Sequence, residues 1–318
     1  MWTTLIIFFI ILFTYIHLQH QLKTGEDLDI YEYDYVSPAG LLEITQYKQP
    51  VLFSLDLPSV RQNPPLDPVS IKDIRDYYKS NARADAISLS QRSARGLLDT
   101  DSNSYFYSDR NQTAIAKSDT WTKWFETLDP FLQPNFSVFK ECDVLYGSQK
   151  TRTITTFHRE SHTYVYLPPE TNSSPIRVKM TPWKSRTFLD PVSDYTYYEF
   201  WSNVNLFDKM EKVRCLDFNV NPGHVLYIPP YWFYSIEFQN KTSEVCMVKY
   251  TTGANLLANV KHMGKYLLQQ QNIQEIWWKP LAGTTTNENE TDDVTDLSQN
   301  VVQLTSLAEQ LVGELTPK

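Results

Sequence analysis

The chain has 318 residues, enough for one large domain or two small ones, and a formal charge of −8 with no long basic stripe, which excludes a broad phosphate-binding surface and so a nucleic-acid partner. Its 20 Tyr, 16 Phe and 8 Trp against only 9 Gly favour a strand-rich domain over a glycine-rich nucleotide binder. Three scattered cysteines, Cys142, Cys215 and Cys246, make neither a disulfide framework nor a CxxC metal site, and read as small buried apolar residues.

Trp2 to about Leu18 is apolar without a charge, at the short edge of the ~17–25 residues that cross a bilayer. No basic residue precedes the run and Tyr15 to Gln21 are too bulky for a cleavage site, so residues 1–22 read as an uncleaved signal anchor crossing the membrane once. Lys23 is the one basic residue before the acidic GEDLDIYEYDY, which gives the charge rule little to orient by. Sequons at Asn111, Asn135, Asn172, Asn240 and Asn289 lean the domain toward the luminal or extracellular side.

Residues 23–37 read as an acidic, Tyr-rich stalk, and a domain is expected over 38–280. Pro38 suits a first helical position, with a short helix through Leu41 to Thr45 and a strand from Pro50 to Leu57. Ile71 to Asn81 has helical spacing, and SYFYSDRN is strand-like. Asp119 caps a helix that places Trp121, Trp124, Phe125 and Leu128 on one core-facing stripe, with Pro130 ending the run. From Cys142 to Tyr250 short apolar runs alternate with Pro, Gly and Asn turns, the texture of a barrel or jelly-roll sandwich. A helix is expected over Asn255 to Gln271, then IWWKP, an acidic flexible linker at 281–300, and an amphipathic helix at 301–318 suited to docking on a protein partner or a second copy of the chain.

One pair of residues has a spacing with chemical meaning. His158-x-Glu160, in TTFHRESHTYVYL, places an imidazole and a carboxylate on the same face of an extended strand. Two His and one carboxylate on one face form the facial Fe(II) site, but a lone pair of this kind is most often a surface feature. No Gly-rich phosphate loop, GxSxG elbow or HExxH helix is present, and nothing in the sequence brings Glu160 and Asp217 together.

NPGHVLYIPPYWFYSIEF, Asn221 to Phe238, resembles the PGD-x-L-Y-I-P-x-x-W-W-H stretch of the Jumonji C and cupin-like family, in its asparaginyl-hydroxylase-like branch. QYKQPVLFSL, DVLYGSQKTRTITTFHRE and IRVKMTPW resemble further family segments in the same order, so the resemblance runs from about Glu32 to Tyr250. It implies a mainly β fold with flanking helices, a double-stranded β-helix (jelly roll) with its barrel core at about 142–250. It places His158 and Glu160 at the first two metal-ligand positions and Tyr234 at the position of the last His.

Departures from the pattern carry as much weight as the matches. Tyr234, with an ordinary pKa near 10, is a poor metal ligand at neutral pH. The 2-oxoglutarate-binding Lys of the family falls near Ile176; Arg177 is adjacent but faces the other way by alternation, and Lys179 is further on. His224 replaces the Asp of the PGD turn, a structural position. His162 is a replacement third ligand by proximity to His158, although a solvent-facing or hydrogen-bonded role suits it better. Extended, Tyr234, Ile236 and Phe238 share a face, with Tyr234 as an aromatic plug. The expectation is a membrane-anchored binding or structural module with no catalytic residue and no cofactor. The alternative is an active Fe(II)/2-oxoglutarate-dependent oxygenase (hydroxylase) whose third ligand is Tyr234, His162 or water.

Overall fold

The computed structural model of the chain describes residues 2–55, 66–75, 86–169, 174–208, 210, 212–239 and 244–274. Its first element, α1 (Trp2–Leu22), is long and apolar enough to cross a membrane and buries no residue. Residues expected as a free stalk instead join the domain. β1 (Tyr31–Tyr33) pairs in parallel with β2 (Val51–Ser54), and Tyr35 stacks on Phe53 at 5.7 Å and meets Phe131 edge-on. The aromatic rings of this segment gain more by packing than its carboxylates lose, because those stay in water.

Pro38 occupies the first turn of α2 (Pro38–Thr45), and the Ser37 side chain accepts the Gly40 N–H as its N-cap. The helix expected over Ile71 to Asn81 is corrected at its start: Val69–Asp73 is strand β3, with Val69 and Ile71 in the core and Ile71 to Asp73 paired to β5 (Phe106–Ser108), while Ile74 and Arg75 are helical. A partner strand outweighs the helical spacing there; residues 76–81 of that reading lie outside the described residues. Helices α3 (Gln91–Thr100), α4 (Gln112–Ala116), α5 (Asp119–Glu126) and α6 (Asp129–Leu132) follow the order of the chain. The aromatic stripe of α5 is core, with Trp121, Trp124, Phe125 and Leu128 all buried. Pro130 does not end that helix; it sits in the first turn of α6, where a missing N–H costs nothing.

The remaining strands are β4 (Ile87–Leu89), β6 (Ser137–Gly147), β7 (Ser161–Tyr166), β8 (Ile176–Thr181), β9 (Pro191–Asp194), β10 (Glu199–Ser202), β11 (Leu216–Val220), β12 (His224–Ile228), β13 (Phe233–Phe238) and β14 (Val245–Thr252). Among the described residues they build a nine-stranded sheet in the order β1-β2-β12-β7-β14-β6-β5-β3-β4 and a three-stranded sheet β11-β8-β13, with β9 and β10 paired beside them. Thr156 bridges both Tyr234 of β13 and Trp201 of β10, so the irregular segment before His158 links the smaller groups of strands.

Alternation along the strands sorts the core into two layers. Val144, Tyr146, Tyr164, Tyr166, Val248 and Tyr250 face one way, onto the α3–α6 helices. Leu145, Val165, Leu226, Val245 and Met247 face the other way, onto Val178, Met180, Ile236 and Phe238 of the small sheet. The three cysteines are free thiols, Cys246 buried and the others half-buried, and burial pushes the Cys142 thiol up to about 12.

The helix expected over 255–271 is two, α7 (Arg186–Leu189) having come earlier: α8 (Gly253–Ala258) and α9 (Val260–Gln274). They part at Asn259, whose side-chain amide donates to Arg159 O at 3.3 Å and to Asn255 O at 3.0 Å while its oxygen accepts from the Tyr231 hydroxyl. Tyr195–Tyr197 and the described residues from Lys261 belong to a second compact unit, in which the Tyr195 hydroxyl and His262 Nδ1 lie 2.7 Å apart. The IWWKP segment, the linker at 281–300 and the helix at 301–318 lie outside the described residues.

Asn111, one of the sequon residues, is 2% exposed, and its amide donates to Ser108 Oγ at 2.9 Å and Val144 O at 2.7 Å while its oxygen accepts from Ser70 N at 2.9 Å. Its amide is therefore committed to the core. We expect no glycan at Asn111 by peptide mass mapping, and Asn111→Ala to cost about 1–3 kcal/mol in denaturant unfolding through the polar groups it orphans.

Candidate functional site

The space between the two sheets is apolar toward one end and charged toward the other. Glu141 and Asp143 continue the face that carries Leu145, and Lys249 continues the face of Val245 and Met247. Glu141 and Lys249 are register partners across β6 and β14, and Lys249 Nζ meets Glu141 Oε1 at 2.7 Å. Gln112 Nε2 donates to the same oxygen at 2.9 Å. Glu141 keeps 47% of its side chain accessible and Lys249 only 15%, so water reaches the carboxylate side of the pair.

These charges set the protonation of the whole cluster. Desolvation pushes the Glu141 carboxyl up, but Lys249 and its hydrogen bond overcome that and hold it at about 2. Lys249 loses to desolvation and gains more from Glu141 and Tyr234, so it stays above its ordinary range. Asp143 is raised to about 6 by burial and by the charge of Asp109, against the Asn111 and Arg110 backbone N–H groups that it accepts. Next to it Lys72, fully buried, pairs with Asp109, and Arg110 pairs with Glu199.

His158 and Tyr234 come together here. His158 Nε2 and the Tyr234 hydroxyl lie 3.0 Å apart, and Tyr234 also lies 3.9 Å from Met247 Sδ. Burial, helped by the Lys249 charge, pushes the imidazole down to about 3, so it is neutral at pH 7. Burial raises the Tyr234 phenol above its ordinary range, which makes a phenolate ligand harder to form. Tyr234, Ile236 and Phe238 do share one face, as alternation requires.

Glu160 does not join them by any hydrogen bond. The backbone bends at Arg159 and Glu160, just before β7, and Tyr231 N donates to His158 O at 2.6 Å, so the two-residue alternation that would align His158 with Glu160 is broken. Glu160 is 7% exposed, and burial raises it to about 7 against the Tyr198 hydroxyl and the Arg159 charge beside it. Arg159 lies over the rings of Phe200 at 4.7 Å, Phe157 at 5.3 Å, Trp183 at 5.5 Å and Tyr231 at 5.9 Å, an aromatic enclosure already filled by this chain's own cation.

His162 faces the other side of β7, with Tyr164 and Tyr166. Its Nδ1 and the Tyr227 hydroxyl lie 2.8 Å apart, and the Asn255 amide donates to its Nε2 at 3.0 Å, which makes Nδ1 the protonated nitrogen. His224 Nδ1 lies 3.3 Å from Pro222 O, within its own turn. Ile176 points inward and Arg177 and Lys179 point outward, toward Asp217 and Glu237.

A two-His, one-carboxylate iron centre does not fit this arrangement. His158 Nε2 is engaged by Tyr234, Glu160 turns to Tyr198 and Arg159, and His162 is bonded at both nitrogens on the opposite face. No three His, Cys, Asp or Glu side chains among the described residues gather as a metal site. The inward cation is Lys249, already paired, not a residue of β8. Sequence reading passed over Glu141, Asp143 and Lys249; the available signal was a charge at every second position in KECDV and a lone Lys inside the apolar VCMVKY.

No family model matches the chain, and no curated protein matches it in sequence. Among solved structures, the X-ray structure of E. coli ycfD is similar to it with a TM-score of 0.38 and 11% identity, over 81% of this chain and 65% of that one.

Two measurements test this electrostatic reading. Removing the Lys249 charge takes away one of the two influences that keep His158 neutral, so Lys249→Met is expected to move the His158 titration upward, read by long-range imidazole NMR. His162, held by burial and the Lys48 charge at about 4, stays neutral in the fold while the unfolded chain takes up a proton below about 6.5. Its contribution is complete above that pH and is lost as pH falls toward 4. Glu160 acts oppositely, since the fold retains its proton to about 7 and stability from it declines as pH rises above its unfolded value. The comparison is therefore between parent and variant at each pH: His162→Gln is expected to lower the melting temperature at about pH 8 and to show a smaller further fall toward pH 4.

Proposed function

We propose that this chain is a membrane-anchored domain of the double-stranded β-helix (cupin-like, Jumonji C-like) kind that is catalytically degenerate and acts as a binding or structural module. One observation carries the reading. The position where a third metal ligand would stand holds Tyr234, bonded to His158, beside an internal Lys249–Glu141 ion pair. The chain's own side chains thus satisfy one another in the place where iron and 2-oxoglutarate would be held. The facing of the nine-stranded sheet onto β11-β8-β13, with helices outside, supports the jelly-roll reading. The exposed apolar α1 supports the anchor.

The catalytic alternative requires Glu160 to turn away from Tyr198 and Arg159 and His158 to leave Tyr234. Both moves would expose buried polar groups without a partner.

The test is a Mn(II) titration of the full-length chain in detergent, since Mn(II) reports the same donor set without oxidising. The parent is expected to show no binding in the micromolar range. Tyr234→His supplies a second imidazole but leaves Glu160 against Tyr198, so it is expected to bind weakly at best. Micromolar binding by the parent, abolished in His158→Ala, would sink the proposal and revive the oxygenase.

A further inference from the structure

The end of α1 is built into the domain. Lys48 Nζ donates to His20 O at 2.6 Å, Gln21 O at 2.7 Å and Lys23 O at 2.8 Å, satisfying carbonyls that a helix C-terminus leaves open. Lys48 itself adopts φ 55°, and its carbonyl accepts Trp232 Nε1 at 3.2 Å from the centre of the fold. Gly25 passes so close that a Cβ would clash with Lys48 O, which keeps the chain after α1 pressed against this cap. Within α1 only Leu18 and Gln21 lose part of their exposure, so the domain meets the helix at its last turn.

Around that exit several apolar side chains are exposed, beside the acidic residues that follow the helix. Tyr47, 64% exposed, precedes Lys48 and lies 6.5 Å ring-to-ring from the exposed Tyr31. α8 lies beside α1; Leu257 within it, and Val260 just after it, are both exposed. Where α8 begins, Gly253 N donates to the carbonyl of Phe136, a residue 91% exposed at φ 58°. The loop carrying it shares a cleft with Ser37, Pro38 and Gln46 of α2, next to exposed Val36. A Phe held out in a left-handed backbone conformation is costly both in hydration and in strain.

We propose that this rim, Tyr31, Val36, Tyr47, Phe136, Leu257 and Val260, is a lipid-contacting surface that seats the domain in the headgroup and upper acyl region of the bilayer crossed by α1. The inference rests on the anchor reading above. Continuity with α1 identifies the occupant: the rim adjoins an apolar helix that nothing in the fold covers, and tyrosines belong at the membrane–water boundary. Capping by Lys48 removes the freedom that a flexible tether would give, so insertion of α1 brings the rim down with it. The lipid it fits is zwitterionic, because Glu26, Asp27, Asp29, Glu32 and Asp34 follow the helix and repel an anionic surface.

The test uses the full chain with its three cysteines replaced by Ala, inserted in phosphatidylcholine vesicles and labelled with an environment-sensitive fluorophore at one new cysteine: Tyr47→Cys, Phe136→Cys or Leu257→Cys. The control is Ile87→Cys, 63% exposed on β4 at the opposite edge of the sheet from β1. Phosphatidylcholine carrying a nitroxide near the top of the acyl chain is expected to quench the three rim labels roughly twofold or more and leave the control nearly unchanged, for a face inserted about 5–10 Å. Alkaline extraction is run on the same samples. If α1 resists extraction and the rim labels are no more quenched than Ile87→Cys, the lipid surface is overturned while the anchor stands. A chemical cross-link between two rim labels of separate chains, with no lipid quenching, would assign the face to a second copy and overturn it as well. Release of the chain by alkali would overturn anchor and rim together.

Discussion

A charge placed between two apolar sheets is tolerated only when another charge answers it, and Lys249 with Glu141 meets that condition across adjacent strands. The protonation of the neighbouring groups follows from burial together with this pair. Lys249 positive helps burial keep His158 neutral; a neutral His158 bonds the Tyr234 phenol; and Tyr234 closes the end of the apolar layer that Ile236 and Phe238 continue. A metal here would have to compete with an arrangement already satisfied. Removing a single member leaves a partner exposed to the full cost of an unanswered polar group, which makes the cluster stable as a set.

The same fold separates two histidines four residues apart. His158 lies before the bend and faces the inter-sheet space; His162 lies within β7 and faces the helical layer, where Tyr227 and Asn255 hold both its nitrogens. Between them, Arg159 and Glu160 turn into an aromatic enclosure with Tyr198 and Tyr231, both in left-handed backbone conformations. The strained tyrosines and the bend belong together, because a regular strand would carry Glu160 back beside His158. Trp232, in the adjacent YIPPYW turn, donates its indole N–H to Lys48 O, and so couples the centre of the fold to the residue that caps α1.

Much of this was legible in the residues. The apolar α1, the Pro38 start of α2, the α5 stripe and the run of short strands from Cys142 onward follow from periodicity and turn chemistry, which are local. So is the shared face of Tyr234, Ile236 and Phe238, and the outward direction of Arg177. Ile71–Asp73 became a strand because β5 offered a partner far along the chain, in pairings such as Ile71↔Ser108 and Asp73↔Phe106, and helical spacing carries no knowledge of partners. β1 arose likewise from rings packing on Phe53 and Phe131 in a segment whose composition reads as a stalk.

What the sequence determined by itself was therefore the class of most local elements, the membrane-length helix, and the shared face of Tyr234, Ile236 and Phe238. All of these depend on neighbours within a few residues. Only the tertiary structure decided that Glu160 turns away from His158, that Glu141 and Lys249 meet, and that Lys48 caps α1. Glu141 and Lys249 lie more than a hundred residues apart in the chain, and Lys48 more than two dozen from the carbonyls it caps. The spacing of residues along a chain specifies which face a side chain takes, but not which distant side chain it will find there.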